Sequence, residues 1–85
     1  MTKIKTLLTA CALACGLAHA QTYPDKSITM VVPFAAGGPT DVVARMMAIP
    51  MGKSLGQPVV VENVNGAGGT IGATKVARAT PNGYT

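Results

Sequence analysis

The feature that most constrains this chain is a unit of apolar strand, glycine-rich turn and helix start that occurs twice. Residues 27–33 (SITMVVP) and 58–63 (PVVVEN) are almost continuously apolar and rich in β-branched side chains, which is typical of strands buried on both faces. Glycines and then a segment with helical spacing of apolar residues follow each run. The order strand, helix, strand, helix predicts an α/β fold with a parallel sheet and a right-handed crossover.

The first turn covers residues 34–39 (FAAGGP) and leads into a helix predicted for residues 40–55. Either Thr40 or Gly38 would cap this helix, and Pro39 is tolerated in its first turn. Asp41 is expected to stabilise the positive helix end, with Arg45 as its solvated partner at i+4.

The apolar stripe predicted for this helix would face the core, with the methionines as core-filling side chains. Its members are Val42, Val43, Met46, Ile49 and Leu55. Gly56 is the expected C-terminal cap. Pro50 lies inside the helix, where it removes a backbone donor, so a kink or a break is expected there.

The second turn covers residues 64–69 (VNGAGG), after which Thr70 would cap a helix over residues 71–79. Pro81-Asn82-Gly83 then predicts another turn, and Tyr84-Thr85 resembles the opening of a third strand.

The first twenty residues have the features of a cleavable signal peptide. Lys3 and Lys5 precede the apolar stretch 6–17, and Ala18-His19-Ala20 matches an A-x-A cleavage site before Gln21. Such a stretch forms a helix of roughly 18 Å, shorter than the ~30 Å hydrocarbon core of a bilayer. A lipoprotein leader ending at Cys11 or Cys15 is the alternative; because the apolar run before Cys11 is short, soluble export after Ala20 is the prediction.

Removal of that leader limits the chemistry of the rest of the chain. Both cysteines and the only histidine lie inside it, so residues 21–85 offer no disulfide, thiol or imidazole catalyst. Five bases against three acids leave a net charge of +2, without a basic cluster that contains aromatic residues. No enzyme activity, cofactor, metal or nucleic acid is therefore expected.

The two glycine-rich turns are the candidate functional feature. In open α/β sheets, ligands bind beyond the carboxyl ends of the strands, and both turns stand there at a helix start. Each would offer backbone N–H groups and a positive helix end to a carboxylate or phosphate. Tight-turn geometry alone would also explain the glycines, so both interpretations stay open at this point.

An ordered set of short motifs gives the chain its resemblance to a known family. In sequence they are Tyr23-Pro24, residues 31–41 (VVPFAAGGPTD), residues 55–58 (LGQP), Val61-Glu62-Asn63, residues 66–69 (GAGG) and residues 81–85 (PNGYT). Each motif is weak alone, but their order and spacing resemble the Bug-type substrate-binding proteins of tripartite tricarboxylate transporters. The resemblance covers essentially all of residues 21–85.

The resemblance implies a two-lobed, type II-like periplasmic binding protein that acts as a monomer and delivers small carboxylates to membrane permease subunits. Family members hold a ligand carboxylate at the turn after the first strand, largely through backbone groups and water. The matching positions are Phe34, Ala36, Gly37, Gly38, Thr40 and Asp41, and the second turn adds Ala67, Gly68, Gly69 and Thr70. Because family chains are several-fold longer, residues 21–85 are expected to be the N-terminal part of the first lobe.

This sequence departs from the family pattern at two places. Val64-Asn65 stands where the family usually has a basic residue and often proline, and Pro50 falls where the family helix is uninterrupted. Two other interpretations remain: a truncated product that binds nothing, and a dinucleotide-binding oxidoreductase fragment. The second is suggested by GAGGTIG at residues 66–72, although its third glycine comes one place late for the usual fingerprint.

Overall fold

A computed structural model describes residues 22–85 of the chain. Two strands and two helices alternate along it, with a short 3₁₀ turn at Ala67–Gly69 before the second helix. They are β1 (Ile28–Val32), α1 (Pro39–Leu55), β2 (Val59–Asn63) and α2 (Thr70–Arg78). The predicted order and the α/β class are confirmed, with boundaries within one residue or so of those expected. The predicted signal peptide and its lipoprotein alternative lie outside the described residues.

The two strands form a parallel pair, as predicted. Ile28 lies opposite Val59 and Val32 opposite Asn63, so both strands end at the same edge of the sheet. The N–H of Thr29 donates to the carbonyl of Tyr84 at 2.8 Å. Because neighbouring N–H groups of a strand point to opposite sides, Tyr84 lies along the edge of β1 that faces away from β2. A third strand beginning at Tyr84 stays a prediction.

Small residues on one side of α1 allow it to approach the sheet closely. Ala44 and Ala48 are buried, one helical turn apart. Gly52 continues this row, and a Cβ there would lie 3.2 Å from the carbonyl oxygen of Gln57 and 3.6 Å from the nitrogen of Val59. The close contact between α1 and β2 therefore depends on side chains no larger than a methyl group.

Within residues 22–85 the predicted apolar stripe of α1 is exposed, and the helix packs on the sheet through its row of small residues instead. Met46 is 69% exposed and Ile49 66%, and the remaining members and Met47 are also exposed. The strands too are mostly half-buried rather than covered on both faces, and of their residues only Val32 is buried. Hydrophobic periodicity marks an apolar helix face, whereas the face that contacts the sheet is chosen by how closely the backbones approach.

The ends and the interior of the helices correct two further predictions. Of the kink or break predicted at Pro50, the break is absent, because α1 continues to Leu55, and the kink stays a prediction. The proline lies on an exposed side of the helix. Its N-cap is Gly38, one of the two residues expected, and Gly56 ends it in a left-handed conformation, as predicted. Thr70 is the first residue of α2 rather than its cap, because Gly69 occupies the cap position without a side-chain bond. None of the helices within residues 22–85 is long and apolar enough to cross a membrane.

Two tyrosines connect the start of the described chain to its end. Tyr23 donates its hydroxyl hydrogen to the carbonyl of Gly83 at 2.5 Å, and Tyr84 donates to the carboxylate of Asp25 at 2.7 Å. The two rings lie 5.1 Å apart between centroids, and the ammonium of Lys26 lies 4.5 Å from the centre of the Tyr84 ring. These contacts fix the segment before β1 against the turn that leads to Tyr84.

α2 packs on the end of β1 through Gly72. This glycine is buried, and a Cβ there would lie only 2.7 Å from both Cα and Cβ of Pro33. Gly72, the last glycine of the fingerprint-like run 66–72, therefore allows α2 to pack closely on the end of β1.

Gly72→Ala should destabilise the protein, because the added methyl group collides with the backbone of Pro33. Overpacking costs about 1–3 kcal/mol, which exceeds the ~1 kcal/mol by which alanine is favoured over glycine in a helix. Thermal or urea unfolding measures the change, and Ala73→Leu at the exposed neighbouring position is the control. A Gly72→Ala protein as stable as the unsubstituted one would contradict this packing.

Candidate functional site

The two glycine-rich turns lie side by side beyond the carboxyl ends of β1 and β2. The parallel register places Val32 opposite Asn63, so the chain leaves both strands at one edge. The ring of Phe34 lies against Gly69: a Cβ at that glycine would be 3.2 Å from Cζ of the phenylalanine. The predicted juxtaposition of the turns is thus present, with Phe34 as the contact between them.

The turn after β1 leaves the start of α1 open. Gly37 has a φ of +83°, which glycine adopts without strain, and Gly38 caps the helix with an extended backbone. The first backbone bond of the helix is donated by Val42 to the carbonyl of Gly38 at 3.0 Å. Pro39 has no N–H, and within residues 22–85 no backbone carbonyl accepts from Thr40 or Asp41. These two N–H groups therefore lack a backbone acceptor within the described residues, at the positive helix end that favours an anion.

The turn after β2 is closed by more bonds within itself than the first, in which the N–H of Gly38 donates to the carbonyl of Ala35 at 3.4 Å. Gly69 donates its N–H to the carbonyl of Gly66 at 3.1 Å, and Thr70 donates its N–H to the carbonyl of Ala67. The hydroxyl of Thr70 also donates to Ala67, at 2.8 Å. Four successive residues, Gly66 to Gly69, have positive φ angles. The sequence suggested two equivalent anion-binding turns, but the second has fewer open donors than the first.

Asp41 is a buried carboxylate that its neighbours fully satisfy. Its side chain is largely buried, with only 3% of the residue exposed. The N–H of Gly37 donates to Oδ2 at 2.9 Å, and Nε of Arg45 lies 3.1 and 3.0 Å from the two oxygens. The predicted i+4 pair is confirmed. The carboxylate thus points back to its own turn, not to the open helix start.

Hydrogen bonds hold the pKa of Asp41 well below its ordinary value. The backbone N–H of Gly37 has the largest effect, followed by Arg45 and Asn63, and together they lower the pKa to about 2. Each donor stabilises the charged form more than the neutral one. The group therefore stays ionised at neutral pH, with its negative charge balanced by the guanidinium of Arg45.

Asn63 lies in the candidate site, although no role was predicted for it. Its side-chain amide donates to Asp41 Oδ1 at 2.9 Å and to the carbonyl of Phe34 at 3.2 Å. Its own oxygen accepts from Nη2 of Arg45 at 3.2 Å. Its position at the carboxyl end of a strand was the available clue, but the partners lie 18 to 29 residues away in sequence.

The other charged groups near this edge pair elsewhere. Glu62 accepts a hydrogen bond from Lys75 of α2 on the surface. Within residues 22–85, no group of three or more His, Cys, Asp or Glu side chains could hold a metal ion. This edge of the sheet therefore presents backbone N–H donors beside the carboxylate of Asp41, whose charge is balanced by Arg45.

Comparison with known proteins gives consistent matches. Residues 43–85 match the model of the tripartite tricarboxylate transporter family receptor. A UPF0065 protein of Agrobacterium vitis is 52% identical over 81 residues, which cover 95% of this chain and 23% of the relative. The chain spans about a quarter of the length of the curated relatives that it matches.

Solved structures show the same similarity. The periplasmic binding protein BugD is 66% identical, with a TM-score of 0.72 over 73% of this chain and 21% of its own. MatC from Rhodopseudomonas palustris, solved with bound malate, is 57% identical, with a TM-score of 0.71 over 74% of this chain and 21% of its own. The fold of the described residues is therefore that of one segment of a periplasmic binding protein.

Asp41→Asn should destabilise the protein at neutral pH, with a penalty that shrinks in acid. A carboxyl whose folded pKa is about 2, against an ordinary 3.8, contributes stability that is present above pH 3.8 and lost as the pH falls towards 2. Urea unfolding of both proteins across this range measures the difference. Glu62→Gln is the control, because it removes an exposed carboxylate. A penalty independent of pH would contradict the ionised, hydrogen-bonded Asp41.

Proposed function

This chain belongs to the tripartite tricarboxylate transporter receptor family, and we propose that residues 22–85 form part of the ligand-binding lobe of a solute-binding protein for small carboxylates. The family is one of substrate-binding receptors rather than enzymes. The remainder of the cleft would come from a second lobe, with residues 21–85 as the N-terminal part of the first.

The observation that carries the proposal is the open start of α1. The N–H groups of Thr40 and Asp41 donate to no backbone carbonyl within the described residues, and the cap residue Gly38 has no side chain over them. A carboxylate is a suitable ligand, because it accepts two hydrogen bonds and is favoured by the positive helix end. The bound malate of MatC, a relative at 57% identity, is a ligand of this class.

The proposed ligand contacts divide between the two turns. In the first, Phe34, Ala36, Gly37, Gly38 and Thr40 shape the backbone around the ligand carboxylate. Asp41 would contribute its N–H, whereas its carboxylate is engaged with Gly37 and Arg45. The second turn, Ala67 to Thr70, would form an adjoining wall with the exposed backbone of Ala67 and Gly68.

The repulsion expected between Asp41 and an anionic ligand is weak in this arrangement. Arg45 lies within hydrogen-bond distance of both carboxylate oxygens, so the pair is neutral as a unit. Glu62 is likewise paired, with Lys75. A ligand at the open helix start would therefore meet backbone dipoles rather than a net negative charge.

The proposed location is the periplasm, where the protein would act as a monomer and deliver its ligand to membrane permease subunits. Support comes from the family match and from the periplasmic proteins among its structural relatives. Lys3, Lys5 and the A-x-A site at residues 18–20 add a route of export by cleavage after Ala20.

Export is tested by N-terminal sequencing of the secreted protein. The expected first residue is Gln21, because cleavage follows Ala20 in the A-x-A site. Ala20→Arg should block processing and leave the precursor in the membrane fraction. A secreted form that begins at Cys11 or Cys15 and carries a lipid would contradict soluble export.

Binding is tested in a full-length hybrid, in which residues 22–85 replace the aligned segment of the malate-bound relative. Gly38→Val should raise the Kd for malate by about tenfold or more, the cost of losing one hydrogen bond to a charged group. The backbone tolerates this change, since Gly38 has a φ of −77° and a Cβ there meets only Ala35 O, at 3.4 Å. Calorimetric titration measures the Kd.

The same substitution should weaken the binding of every carboxylate ligand to a similar degree, because it obstructs the position that their carboxylate groups share. Succinate and citrate titrations provide this comparison. Ala73→Val, at an exposed position of α2, is the control and should leave the Kd unchanged. Malate binding unaffected by Gly38→Val would place the ligand elsewhere and contradict the proposed site.

A further inference from the structure

We propose that Asn63 is a positioning residue of the carboxylate site, through which the end of β2 sets the shape of the turn after β1. The inference rests on the function proposed above and deepens it. Asn63 reaches the first turn although it belongs to the other strand, and it makes three hydrogen bonds there. It would act through the backbone of that turn and not by touching the ligand.

Both polar atoms of the Asn63 side-chain amide take part in hydrogen bonds. Nδ2 carries two hydrogens, and it lies 2.9 Å from Asp41 Oδ1 and 3.2 Å from the carbonyl oxygen of Phe34. Oδ1 accepts from Nη2 of Arg45 at 3.2 Å. Only a side chain with both a double donor and an acceptor can make this set. Aspartate has the same shape but no donor when ionised, and alanine has neither function.

These bonds fix the first turn at both of its ends. At one end, Asn63 holds the carbonyl of Phe34 directly. At the other end, it orients the carboxylate of Asp41, whose second oxygen holds the N–H of Gly37. The peptides between Phe34 and Gly38 therefore have a set orientation before a ligand arrives. Pre-ordering a binding segment lowers the entropic cost of association, so its loss appears as weaker binding.

The charged surroundings of Asp41 determine what an acidic substitution at position 63 would do. Asp41 is contacted by the side chain of Arg45, which lies on the same helix, and by the backbone N–H of Gly37 in the turn. From β2 the contact is the neutral amide of Asn63, while the neighbouring Glu62 pairs with Lys75 of α2. Asn63→Asp would thus place a second carboxylate against the first, with one guanidinium between two acids.

The first test is Asn63→Ala in the full-length hybrid, with malate as the probe. We expect the Kd for malate to rise about tenfold, as when a hydrogen bond to a charged group is lost. Circular dichroism at the temperature of titration establishes that the variant is folded. The matched control is Glu62→Gln, the adjacent residue of the same strand, which loses its own surface ion pair and should keep the Kd of the unsubstituted hybrid.

The second test is Asn63→Asp, which keeps the shape of the side chain. It therefore still tests the inference if the Asn63→Ala protein does not fold. At neutral pH the two carboxylates repel and Phe34 loses its donor, so the Kd should again rise about tenfold. When the pH falls from about 7 to about 5, one proton shared by the pair restores a donor. The ratio of the Kd to that of the unsubstituted hybrid should therefore fall towards one.

The outcomes separate this inference from the proposed function. A folded, unsubstituted hybrid that binds no malate would overturn the function and the inference with it. A hybrid that binds malate equally well with asparagine, alanine or aspartate at position 63 would overturn the inference alone. A purely packing role predicts that aspartate, being of equal size, gives a Kd ratio near one at every pH. The expected pH-dependent ratio excludes that role.

Discussion

The buried carboxylate of Asp41 is the interaction on which the arrangement of this edge depends. An ionised side chain with 3% exposure is tolerated only when donors replace the water it has lost. Its donors come from three parts of the chain: the N–H of Gly37 in the turn, Arg45 one turn along α1, and Asn63 at the end of β2. The turn, the helix start and the second strand are therefore fixed to one another by a single group.

This arrangement also explains how an acidic residue fits beside the proposed carboxylate site. Asp41 stands in the first turn of α1, where a negative charge is favoured by the helix end. Because its carboxylate is turned back to Gly37 and neutralised by Arg45, the N–H groups ahead of it remain open. The side chain thus organises the turn, while in the proposed function the N–H of the same residue would donate to the ligand.

Close approach of backbones is the second constraint in the fold. Ala44, Ala48 and Gly52 bring α1 against the sheet, and Gly72 brings α2 against Pro33. The larger apolar residues of α1, such as Met46 and Ile49, consequently lie away from the sheet. Close packing of α2 against Pro33 therefore accounts for the glycine at position 72 without a bound dinucleotide.

The sequence by itself determined the order and type of the elements. Continuous β-branched runs, glycine-rich turns and the cap at Gly56 are local features, and they placed both strands and both helices with nearly correct ends. The family resemblance, carried by ordered motifs, was likewise confirmed. The break that the sequence allowed at Pro50 is absent, because the local cost of the proline does not interrupt a helix of 17 residues.

Only the tertiary structure decided which side chains meet. The exposure of the α1 stripe and the hydrogen bonds of Asn63 depend on how the helix and the two strands lie relative to one another. Periodicity reports which faces of an element are apolar, but not which face has a partner. Hydrogen bonds such as that from Asn63 to Phe34, 29 residues apart, exist only once the parallel register brings the two strand ends to one edge.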